Sequence, residues 1–165
     1  MNVTSYEDEL RKAKTITQIF KLVKRLVEES LGLRRAGVEI ALASLPPNYE
    51  ALTDPASNYI ILNQNTLHAL QQLIENEVEI KSYIFRRLLE EYLKALGIEK
   101  DEAAHLTRRL IRQSFQRNHA IQKYMNASIV ELYPEITLAP QQRSRGTTIH
   151  IITEETDNDT PQYIA

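Results

Sequence analysis

The sequence predicts an α+β single domain, and three observations carry that class. Helical periodicity dominates most of the chain. Two short strand-like runs lie close together between residues 38 and 62, and one more strand pattern follows only near the end. Strands and helices grouped in this way, without regular alternation, are the pattern of an α+β fold. At 165 residues, with 42% hydrophobic and 25% charged side chains, the chain can build one hydrophobic core.

The elements follow in order. Ile16, Ile19, Phe20, Val23, Val27 and Leu31 recur at helical steps, which predicts one long amphipathic helix from about residue 6 to 31. Gly32 ends it by accepting the left-handed backbone of a helix C-terminus. Val38–Leu42 alternates as a strand and stops before Pro46-Pro47. A loop with Asp54-Pro55 precedes a more buried strand, Tyr59–Leu62. Asn63 or Asn65 caps a helix over about 66–75, with Leu67, Leu70 and Ile74 inward.

Phe85, Leu88, Leu89, Tyr92 and Leu96 form the apolar stripe of a helix over about 81–96. Asp101 caps the next helix, whose core contacts are Ala103, Leu106, Leu110 and Phe115, and Asn118 restarts a short one with Ile121 and Met125. Pro134 and Pro140 frame an irregular stretch, and residues 147–152 read as a late strand. The domain therefore spans residues 1–152. Residues 153–165 form an acidic tail, expected to be flexible or partner-bound.

Composition removes several chemistries. With no cysteine there is no disulfide, thiolate zinc site or cysteine nucleophile. Neither phosphate-cradling glycine pattern nor a G-x-S-x-G elbow occurs, and His68, His105, His119 and His150 make no pair at ligand spacing within one element. No apolar run approaches the roughly 20 residues of a membrane span, and residues 1–14 have no signal-peptide core. A cytoplasmic protein without a cofactor or a membrane partner is expected.

The segment Glu90-Glu91-Tyr92-Leu93-Lys94-Ala95-Leu96-Gly97 carries the one suggestive pattern. In HExxH zinc peptidases two histidines one helical turn apart hold the metal, and the Glu between them is the general base. Here Glu90 and Lys94 stand at the histidine positions and Glu91 at the base. With its apolar frame and terminal Gly97, LLEEYLKALG resembles the helix HEYLHxLG of small archaeal zincin-like proteins of the minigluzincin type. Asn58–Asn63 is similar to the strand before that helix, and the likeness covers roughly residues 10–127.

The resemblance implies a backing helix, a small sheet, a pseudo-active-site helix and following helices. It also implies that the chemistry is deleted. A protonated Lys94 cannot ligate a metal, and Glu90 four residues before it makes a helix ion pair instead. Glu91, Glu102 and His105 remain as candidates for a relocated metal site, and the alternative treats Glu90, Glu91, Glu102 and His105 as ordinary surface residues.

Charge is uneven around a net −2. Residues 81–123 hold ten basic and five acidic side chains, whereas 153–165 hold four acidic and no basic ones. A basic face built from Arg86, Arg87, Arg108, Arg109, Arg112 and Arg117, with the apolar terminus at Tyr163 and Ile164, is the expected partner surface. The expected role is a catalytically inactive interaction or scaffold subunit that meets another protein or a multi-subunit complex. Nucleic acid is the competing partner, with Tyr124 as a stacking surface, and an unconventional metal-dependent hydrolase is the other alternative.

Overall fold

The structure is a computed structural model and describes residues 3–138 and 150–152. It is a mixed α+β fold. The N-terminal periodicity resolves into two helices, α1 (Val3–Lys12) and α2 (Ile16–Leu31), not one. Thr15 is the reason for the break: its extended backbone and its hydroxyl, which accepts the Gln18 N–H, make it an N-cap. Gly32, at φ 65°, closes α2 with its N–H on the Glu28 carbonyl, as its sequence position predicts.

Strands β1 (Glu39–Ala43), β2 (Ala51–Thr53) and β3 (Tyr59–Asn63) are followed by helix α3 (Gln64–Leu73). β2 was expected to be loop. With the short β4 (His150–Ile151) the sheet order is β2-β3-β1-β4; β1 and β3 are parallel, and both edge strands are antiparallel to their neighbours. Residues 147–149 of the expected late strand, and the whole tail with Tyr163 and Ile164, lie outside the described residues. Ile40, Ile60 and Leu62 turn into the core, while Leu52 and Tyr59 remain exposed on the other side.

Asn63 ties the sheet to α3. Its side chain caps the helix by accepting the Asn65 N–H, and it also donates to the carbonyls of Leu45, Pro46 and Tyr49. Helix α4 (Glu77–Ala95) is capped by Asn76 and starts earlier than the apolar stripe alone suggests. It packs against α1, α2, β2, β3, helix α5 (Lys100–Ser114) and a 3-10 turn at Ala120–Tyr124. Edge-to-face aromatic pairs join these layers: Phe20 with Tyr92, Phe85 with Phe115, and Tyr83 with Tyr124.

Two caps differ from expectation. Glu99, not Asp101, caps α5, and His119, not Asn118, caps the 3-10 turn by accepting the Ile121 N–H. A short helix, α6 (Ile129–Leu132), precedes the stretch expected to be irregular, and a second 3-10 turn, Pro134–Leu138, occupies the described part of that stretch. Arg35 reaches from the α2–β1 connection to the carbonyls of Ala95, Pro55 and Ser57, thereby covering an open carbonyl at the end of α4. No helix among the described residues is long and apolar enough to cross a membrane.

Candidate functional site

The positions that carry the degenerate motif lie on α4 where it faces β2, and they are closed by ion pairs. Arg87 is the hub. Its guanidinium bonds the Glu90 carboxylate, lies 3.2 Å from Glu91 Oε2 and 3.5 Å from Glu50 Oε2. Arg86 reaches Glu90 Oε1 at 3.2 Å, and Lys94 Nζ reaches Glu91 Oε2 at 2.9 Å. Three cations therefore meet three carboxylates. Thr53 of β2 donates to Glu91 Oε1 at 3.0 Å, and the Tyr83 hydroxyl donates to Glu50 Oε1 at 2.8 Å.

Local sequence explains most of this arrangement. In Arg86-Arg87-Leu88-Leu89-Glu90-Glu91, each arginine has a glutamate four residues on, and helical side chains lean back toward the N-terminus. Glu90 is thus drawn to Arg86 and Arg87. Lys94 pairs with Glu91 at three residues, not with Glu90 at four as expected from sequence. The arginine–glutamate spacing was the signal that could have revealed the cluster.

Burial makes these pairs energetically different from a solvated helix face. Glu91 is 1% exposed, Arg87 7% and Glu90 8%, so the reading of Glu90 and Glu91 as surface residues is overturned. Burial pushes the Glu90 carboxyl up, but Arg87, with Arg86 and Lys94, outweighs it and holds the pKa below the usual glutamate value. Burial works against the charged Arg87, yet Glu91, Glu90 and Glu50 together raise its pKa. For Arg86, burial and the neighbouring Arg87 prevail over Glu90 and lower it. Burial, then Glu50, raises the Tyr83 hydroxyl, which keeps it a donor.

The expected basic face is consequently smaller. Arg86 and Arg87 are spent inside the cluster, and Lys81 is buried with its ammonium on the Arg11 carbonyl. Arg109, Arg112 and Arg117 are exposed and Arg108 is half-buried, and none has an ion pair among the described residues. Tyr124 is buried against Tyr83 and offers no stacking surface.

A divalent metal does not fit the motif positions. Both Glu91 oxygens are engaged, and two cations already compete for that carboxylate. Glu102 and His105 lie on the exposed side of α5, while Glu91 points at β2, so the relocated set is not brought together. No group of three or more His, Asp or Glu among the described residues is placed to hold a metal ion. No protein-family model, curated protein or solved structure matches this chain.

Two outcomes follow from the cluster. Arg87→Met leaves three carboxylates facing two cations and is expected to cost about 3–5 kcal/mol in urea unfolding, the usual loss when one partner of a buried pair is removed. The Glu90 contribution has the sign of a depressed carboxyl: it is fully present above the ordinary glutamate value of 4.5 and is lost as pH falls through the lower folded value. Unfolding curves of the native chain and Glu90→Gln should therefore differ by a constant amount above that pH and converge in acid; a pH-independent difference would refute the assignment.

Proposed function

We propose that this chain is a zincin-like protein whose metal chemistry has been replaced by ion pairs, and that it acts as an interaction or scaffold subunit of an intracellular, archaeal-type assembly. The observation that carries the reading is the closed cluster at the motif positions. Where a zincin needs ligands, an open coordination position and a base beside an activated water, Glu90 binds Arg86 and Arg87, and Glu91 binds Arg87 and Lys94. The order of backing helix, small sheet, motif helix and following helix supports the same reading.

The partner surface is the solvent side of α5 with Arg108, Arg109 and Arg112, continued by Arg117. Unpaired arginines favour carboxylates, which they bind through two parallel N–H donors. An acidic protein surface fits better than nucleic acid, because Tyr124 is withdrawn into the core and leaves the stripe without that stacking aromatic.

Affinity capture from native lysate, with and without nuclease, tests the role. A stoichiometric protein partner should survive nuclease and should be lost with Arg108→Glu/Arg109→Glu/Arg112→Glu; partners that vanish with nuclease would make nucleic acid the target instead. The family reading has its own test. Glu90→His/Lys94→His restores two ligands four residues apart and, with Arg87→Met to remove the competing guanidinium, should bind about one zinc per folded chain in calorimetry. A folded variant without zinc affinity would sink the zincin-like assignment.

A further inference from the structure

A second cationic site lies away from α5, at the elbow between α1 and α2. An open cavity of about 390 Å³ is lined there by Glu9, Lys12, Gln18, Lys21, Leu22 and Arg25 among others. Its one carboxylate is committed: Glu9 takes two hydrogen bonds from Arg25. Lys12 lies close enough to help lower the Glu9 pKa, an effect secondary to the Arg25 hydrogen bond. Lys12 and Lys21 are exposed, and neither makes a salt bridge or side-chain hydrogen bond among the described residues. Lys14, also exposed, stands between the two helices.

Ile152, the last described residue before the acidic end, is held against the helix that lines this cavity. Ile152 donates its N–H to the Ile40 carbonyl at 2.9 Å, and its own carbonyl accepts the Thr17 hydroxyl at 3.3 Å. Thr17 is adjacent to Gln18 of the cavity wall and one turn before Lys21 on the same face of α2. Along the helix axis that turn is about 6 Å. Glu154 and Glu155, two and three residues beyond Ile152, can reach about 7–11 Å in extended chain. The first turn of α2 holds no acidic residue, although carboxylates are stabilised at a helix N-terminus.

The geometry points to this elbow as a binding site for an acidic peptide, occupied by residues 154–159 of the same chain. Glu154, Glu155, Asp157 and Asp159 supply four carboxylates with no basic residue among 153–165, and Lys12, Lys14 and Lys21 supply the cations. The contacts are exposed, so they act together and are salt-sensitive. The site is independent of the α5 stripe, whose arginines remain available to another molecule.

Zero-length carbodiimide coupling of carboxylates to lysines tests it, on the full chain mixed from natural-abundance and ¹⁵N-labelled protein. Mass spectrometry should find same-label peptides joining Glu154, Glu155 or Asp157 to Lys12, Lys14 or Lys21. Their yield should fall about tenfold in Lys12→Glu/Lys21→Glu, and comparably in the native chain when salt rises to roughly 0.5 M. Mixed-label links would assign the cavity to a second copy. Links only to other lysines such as Lys100 or Lys123, or no links at all, would overturn the proposal.

Discussion

The Arg87 guanidinium holds together parts of the chain that have little else in common. It contacts Glu90 and Glu91 on its own helix and Glu50 at the entrance to β2, all in a largely buried setting. Charges taken out of water lose solvation worth several kcal/mol each, and only close, mutually satisfied partners offset that loss. Here the partners are arranged in layers. Arg86 takes the other Glu90 oxygen and Lys94 shares Glu91 Oε2 with Arg87, while Thr53 and Tyr83 complete Glu91 and Glu50 with neutral donors. The helix that carries Arg87 is also the one on which α1, α2, α5 and the sheet pack.

The same arrangement sets the chemical limits of the helix. A carboxylate acts as a general base when one of its oxygens is free to accept a proton from a bound water or substrate. Glu91 has one oxygen on the Thr53 hydroxyl and the other shared by an ammonium and a guanidinium. Proton transfer to it would require breaking ion pairs in a buried site. A divalent cation faces the same obstacle with greater force, because it must displace Lys94 and Arg87 before any ligand is released.

How much of this was legible in the sequence depends on the range of the interactions. Periodicity located α2, α3, α4 and α5, because burial of one face is a local pattern: Phe85, Leu88, Leu89 and Tyr92 are all buried as their spacing requires. The break at Thr15 was hidden because the apolar pattern runs through it, with Ala13 and Ile16 both in the core. β2 escaped because three residues with one outward leucine give no alternation to read. The ion cluster was half legible. Tyr83, Arg86, Arg87, Glu90 and Glu91 follow helix spacing, whereas Glu50 and Thr53 arrive from distances that no local rule connects, 33 residues from Tyr83 and 38 from Glu91.

Why the cluster persists is a question of specificity more than of strength, since a buried ionic group can often be replaced by apolar side chains with little loss. β2 supplies the reason. In the observed register Ala51 and Thr53 lie beside core-facing residues of β3, and Leu52 pairs with Ile61 on the open side of the sheet. A slip of one residue would exchange these faces and bury the rest of Leu52, now 41% exposed, a change that hydrophobicity alone favours by at most about 1.5–3 kcal/mol. The slip would also pull Thr53 from Glu91 and disturb Glu50 against Arg87 and Tyr83. Breaking such buried polar contacts costs about 3–5 kcal/mol, more than the leucine returns. The charges on α4 therefore help to decide which face of the edge strand meets the helix, together with the Asn63 bonds that pin the chain just before β2.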